Sequence, residues 1–207
     1  MAFILARNYA PQYTQSVVPY PDKVELFRRA QAYNHKTAYW PAQLSHRGIA
    51  LPRELFPDSA RISGRAKHPP HIIDMWMFPG VSEIVRDLIE EFEPDLHQFV
   101  EVPVTLKSGE STPHRYSALN ILNIVDNYVD FGRTELPSKD YTALGRYLLP
   151  VSPFEKRPIY VRKQAIGQRH LWRSPEMSFS ITVSDALCER MRAAKVFGYN
   201  FIKCAEL

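Results

Sequence analysis

The chain has 207 residues, 45% hydrophobic and 23% charged, which argues against wholesale disorder and allows a real core in one large domain or two small intertwined ones. A net charge of +4 with scattered Lys and Arg is too weak for a duplex-binding domain; Arg61, Arg65 and Lys67 form the one modest basic knot, a mild preference for an acidic partner. No run approaches the roughly 18 apolar residues of a membrane span, and the short opening apolar run lacks the basic flank of a signal peptide, so the cytoplasm is the expected location.

Ala2-Phe3-Ile4-Leu5-Ala6 reads as an opening β-strand. A polar, Pro-rich connection follows. Acidic residues after Pro21, with Val24, Phe27 and Ala30 at helical spacing, predict a helix to about Tyr33. From 34 to 70 the periodicity dissolves: Pro41, Pro52, Pro57 and Pro69-Pro70 break any long element. Trp40, Leu44, Ile49, Leu51, Leu55 and Phe56 still need burial there, which predicts a long loop pinned by hydrophobic anchors. Seventeen prolines against 8 glycines make that loop stiff rather than flexible. Loops of such length usually serve a purpose.

The middle is more regular. Ile84, Val85, Leu88, Ile89 and Phe92 recur with helical spacing, Ser82 is a natural N-cap, and Pro94 stops the helix. Residues 99–106 alternate as a strand, Ser108-Gly109 reads as a turn, and 115–124 as a returning strand or a strand plus helix start. Residues 125–150 are ambiguous. Residues 158–163 predict a strand, Gly167 a turn and Leu171-Trp172-Arg173 another short strand. Residues 177–183 form a further predicted strand. Ser184 caps a helix with Leu187, Met191 and Ala194 on one face; Gly198 ends it, and 199–204 close as a strand.

A constant displacement lays Val81-Ser82-Glu83 on Val183-Ser184-Asp185 and Phe99-Val100 on Phe201-Ile202, without a gap. Few columns are identical, so duplication and two independent uses of a capped-helix unit both remain open. In either case Glu83 and Asp185 are helix-start residues that favour the positive end of the dipole, not a catalytic pair.

Chemistry is sparse. His68-Pro69-Pro70-His71-Ile72-Ile73-Asp74 holds two histidines, but its prolines forbid the helix that would stack them as metal ligands; a stiff loop with exposed imidazoles is the expectation. There is no G-x-S-x-G elbow and no glycine-rich phosphate loop. Cys188 and Cys204 lack metal-type spacing and read as buried free thiols, with a single bridge as the alternative. Cys188 lies within a helix, where nothing local would activate it. An enzyme would have to be a hydrolase using His68, His71 and Asp74 with a metal, or Cys188 with His170. Tyr160-Val161-Arg162-Lys163 and His170-Leu171-Trp172-Arg173 have the interleaving of an RNA-binding sheet, yet equally describe strands with one buried and one solvated face.

Several short motifs, in order and spacing, resemble immunity-protein family eleven of bacterial polymorphic-toxin systems. They are Val81-Ser82-Glu83, Gln98-Phe99 with Val102 and Val104, Gly109, Leu119-Asn120, Leu171-Trp172-Arg173, and Val183-Ser184-Asp185 with Gly198 and Phe201. The likeness covers roughly 70–207. It implies a cytoplasmic protein that binds and neutralises a cognate toxin, commonly in contact-dependent or type VI secretion settings, with no catalytic residues and no cofactor.

The expected fold is α+β: mostly antiparallel sheet with a few packed helices and two pseudo-repeated strand–helix–strand units. Residues 1–70 (strand, helix and Pro-rich loop) are expected to pack on an immunity-like domain spanning 71–207, as one compact unit. The expected partner surface is the long loop, through Trp40, Arg53, Arg61, Arg65, His68 and His71, since aromatics and arginines dominate hot spots. The rival functions are a metal- or Cys-dependent hydrolase and an RNA-binding protein.

Overall fold

The computed structural model describes residues 1–7, 17–33, 47–63, 69–75, 77–134, 158–175 and 180–207. In chain order the elements begin with β1 (Ala2–Arg7), β2 (Val17–Tyr20), α1 (Lys23–Tyr33), a 3-10 turn (Arg53–Leu55), β3 (Ser59–Ile62), β4 (Ile72–Met75) and β5 (Phe78–Ser82). Then come α2 (Glu83–Phe92), β6 (Gln98–Val102), β7 (Val104–Thr105), β8 (Tyr116–Asn120) and β9 (Ile159–Val161). The last are α3 (Lys163–Ile166), β10 (Leu171–Trp172), β11 (Ile181–Ser184), α4 (Asp185–Ala193) and β12 (Tyr199–Glu206). The class is α+β, with most strand pairs antiparallel.

Three sheets form. Their orders are β10-β11-β1-β12-β9, β4-β5-β8-β6 and β2-β3-β7. The first two repeat one design, each with its own helix, rather than sharing the single sheet that pseudo-symmetry suggests. Val81 pairs with Ile72 on one side and Ser117 on the other. Val183 pairs likewise with Leu171 and Phe3. Phe99 lies opposite Leu119, and Phe201 opposite Leu5. The echo in the sequence is thus an echo in register, with β1 filling in one sheet the place that β8 fills in the other.

Each unit turns from strand to helix at a serine. The N–H of Ser82 donates to the His71 carbonyl at 2.8 Å, and that of Ser184 to the His170 carbonyl at 2.9 Å. The hydroxyls differ in use. Ser184 Oγ accepts the Leu187 N–H at 3.2 Å and so caps α4. Ser82 is the N-cap residue of α2 but makes no such bond; its hydroxyl meets His71 Nδ1 at 3.1 Å instead. The expected hydroxyl cap at Ser82 is therefore absent, although Ser184 keeps its cap while its hydroxyl also meets His170 Nδ1 at 2.9 Å. Glu83 and Asp185 sit in the first turns of α2 and α4, as expected of helix-start acids.

The two helices pack on each other, joined at the surface by Arg190 Nη2 and Glu91 Oε2 at 2.7 Å. Val85, Leu88 and Ile89 of α2 share a core with Leu187, Cys188 and Met191 of α4, and with Phe3, Leu5, Val81 and Val183 from both sheets. Burying such side chains contributes about 1.5–3 kcal/mol each. A second cluster lies under β2-β3-β7 and contains Leu55, Phe56 and Phe78, the last two rings stacked at 4.3 Å. A third surrounds Trp172 and Tyr128, whose hydroxyl lies 2.7 Å from Thr182 Oγ1.

Several expectations are corrected here. α1 buries Leu26 and Ala30, while Val24 is 76% exposed. Asp22 caps the helix, its Oδ1 accepting the Val24 and Glu25 N–H groups at 3.0 Å each. Two strands, β2 and β3, occupy stretches read as connection and loop; Leu51, Leu55 and Phe56 are nevertheless the buried anchors expected. α4 does not end at Gly198. The left-handed residue after it is Lys195, with φ 55°, while Gly198 at φ 108° sits against Pro70, too close for any Cβ.

Candidate functional site

Of the residues expected to meet a partner, Trp40, Arg65 and His68 lie outside the described residues. Arg53 and Arg61 differ in what they do. The Arg53 guanidinium ties down its own turn: Nη1 donates to the carbonyls of Phe56 at 3.3 Å and Pro57 at 3.0 Å, with Asp58 Oδ1 at 3.9 Å. Arg61 is exposed on β3, opposite Val18 of β2 and Thr105 of β7, and its side chain has no hydrogen-bond or ionic partner among the described residues.

His71 departs from expectation. It is buried, its N–H donates to the Phe197 carbonyl at 3.2 Å, and its ring packs on His114 at 4.6 Å and edge-on to Phe197 at 4.9 Å. Burial, then the neighbouring His114, lowers its pKa, and Glu83 only partly opposes them. The imidazole joins β4 to α2 and is not presented to solvent. The rigid Pro69-Pro70 pair, buried itself, delivers His71 inward, and Tyr116 Oη fixes that approach by donating to the Pro70 carbonyl at 2.6 Å.

Of the groups proposed for hydrolysis, His68 lies outside the described residues. Among the described residues no cluster of three or more His, Cys, Asp or Glu could hold a metal ion. Cys188 and Cys204 are free and buried, and burial pushes their thiols up to about 11 and about 12. His170 Nδ1 meets Ser184 Oγ at 2.9 Å, and its ring lies against Phe92 at 4.7 Å. No hydrogen bond joins His170 to Cys188 among the described residues.

A residue that the sequence did not single out organises the junction between the two repeated units. Glu93 follows α2 and is buried. Its Oε1 accepts the His170 N–H at 2.7 Å and Asn123 Nδ2 at 3.1 Å; its Oε2 accepts His97 Nε2 at 2.6 Å and the Leu171 N–H at 3.2 Å. His97 Nδ1 accepts the Leu122 N–H at 3.2 Å, which leaves the proton on Nε2 to donate to Glu93. Burial pushes the Glu93 carboxyl up, yet the hydrogen bonds from His97 and the His170 backbone outweigh it and leave the pKa below its ordinary value. The spacing of Glu93 and His97 is the available signal, obscured because the helix ends just before Glu93.

Beside this junction opens a cleft of about 990 Å³, lined by Phe92, Leu96, Lys163, Arg169, His170 and Trp172 among others. Its charges are mixed, and of its acids Glu93, Asp185 and Glu206 the first is committed to four donors. A carboxylate so engaged positions backbone and is a poor proton carrier.

These features define an α+β scaffold in which the buried His71, Glu93 and His97 side chains join its parts. The model of the Immunity protein family (Imm11) matches residues 13–206. The chain belongs to that family. A comparison with curated proteins found no match. Among the described residues no helix is long and apolar enough to cross a membrane.

Proposed function

We propose that this protein acts in the cytoplasm by binding a cognate bacterial toxin and neutralising it without catalysis, in a polymorphic-toxin or type VI secretion setting of bacterial competition. The observation that carries this reading is the family match over nearly the whole chain. The chemistry of the interior supports it: His71 and the Glu93–His97 pair serve hydrogen bonds between elements, and the thiols are held protonated. Inhibition then follows from occlusion of the toxin's cleft or restraint of its shape. Arg61, with Arg53, Trp40, Arg65 and His68, supplies contacts to an acidic toxin surface, where unlike charge speeds encounter.

The test is co-expression. A toxin domain encoded beside this gene should kill when expressed alone, be tolerated with this protein, and co-elute with it one-to-one on gel filtration. Failure to rescue growth, with no complex at micromolar concentrations, would sink the reading.

A further inference from the structure

We infer that the outer face of β2 and β3, continued by the first turn of α1, is the surface that docks the toxin, an inference that rests on the function proposed above. The sheet is one-sided. Val17, Ala60, Ile62 and Val104 enter the core, so the pleat sends the alternate residues outward. Direct cross-strand pairing sets Val18 against Arg61 and Tyr20 against Ser59 on that outer face. Val18 is 46% exposed, Tyr20 68% and Val24 76%. Single exposed apolar residues need no explanation, but here three large ones follow within one short stretch of chain, and one of them, Val18, lies opposite an arginine with no described partner. An aromatic, an aliphatic pair and an exposed guanidinium form the composition of a binding hot spot.

Charge selects the occupant. The nearby carboxylates are already engaged: Asp22 caps α1, Glu25 pairs with Arg28 and Arg29, and Asp58 faces Arg29 and Arg53. A second copy laid on this face by a two-fold axis would bring arginine toward arginine with no free acid in the patch to answer it. A toxin surface that sets an apolar pocket beside a carboxylate satisfies both Tyr20 and Arg61.

The probe is the purified toxin domain encoded beside this gene, titrated by calorimetry against the full chain and three variants: Tyr20→Asp, Arg61→Glu and, at the rim of the distant cleft, Leu96→Asp. Tyr20→Asp should weaken binding about 100-fold or more and Arg61→Glu about 10-fold or more, with Leu96→Asp within about threefold of the unaltered chain. The Arg61→Glu deficit should shrink as salt rises. All three side chains are exposed, and a thermal melt checks folding; if Tyr20→Asp melts early, Tyr20→Ala and Arg61→Glu decide.

Binding unchanged in both face variants, with the unaltered chain binding normally, overturns this inference and leaves the proposed function standing. So does loss of binding in Leu96→Asp alone. A dimer of the free chain dissolved by Tyr20→Asp, with toxin binding intact, overturns the choice of occupant. An unaltered chain that does not bind the toxin overturns the function, and this inference with it.

Discussion

Replacing Glu93 by Gln tests whether the junction between the two repeated units depends on a carboxylate. Four donors converge on its two oxygens: His97 Nε2 and the Leu171 N–H on one, the His170 N–H and Asn123 Nδ2 on the other. An amide has one oxygen, so whichever way it turns, two donors meet an NH₂ group. Hydrogen bonds to a charged acceptor contribute about 1.5–3 kcal/mol, and a stranded buried donor costs about 1–3 kcal/mol, so two losses amount to roughly 3–5 kcal/mol. Against a usual stability of about 5–15 kcal/mol that is a large fraction, equivalent to a fall in Tm of roughly 10 °C.

Urea unfolding followed by circular dichroism measures the difference. The pH profile adds a second check. The folded carboxyl titrates below its unfolded value near 4.5, so its contribution is fully present above that pH and is lost as pH falls through the lower, folded value. The gap between the natural chain and Glu93→Gln should stay constant above about pH 5 and narrow in acid. A variant within about 1 kcal/mol of the natural chain at pH 7, or a gap that does not change with pH, would refute the reasoning.

Gly198→Ala should cost at least about 2 kcal/mol, because a Cβ there would lie 2.4 Å from Pro70 Cβ in a backbone at φ 108°; urea midpoints at constant slope will show it. Tyr128→Phe leaves Thr182 Oγ1 without its 2.7 Å contact and should cost about 1–2 kcal/mol, much of it recovered by adding Thr182→Val, as a thermal double-mutant cycle would reveal. Both thiols should resist Ellman's reagent in the folded protein at pH 8 and react once urea unfolds it, since burial holds them near 11 and 12; rapid labelling without urea would contradict that burial.

Local pattern revealed what local forces decide. α2 and α4 were legible because Val85, Leu88, Ile89, Leu187 and Met191 recur at helical spacing after a serine. β2 was hidden because Pro19 argues against a strand, although the alternation of Val17 and Pro19 with Val18 and Tyr20 is visible once the sheet edge is known. The face of α1 differs at Val24, since Leu26 and Ala30, one turn apart, are the residues that enter the core. Among expected contact residues Arg61 was placed outward and His71 inward, a distinction that depends on Ser82 and Phe197, both remote in sequence. Glu93 was missed for the same reason: three of its four donors belong to distant segments.

The position of β1 fixes an order of assembly. Its hydrogen-bonding neighbours are β11 and β12, at the far end of the chain. At the pace of translation, residues 181–206 follow it by roughly 10–35 s, and through that interval Phe3, Ile4 and Leu5 have no sheet to join. The central unit, β4 through β8, is contiguous and needs no such wait. It can close first and offer α2 as a surface for α4, leaving β1 to wait for its sheet partners. During that delay an apolar strand stays without its native cover.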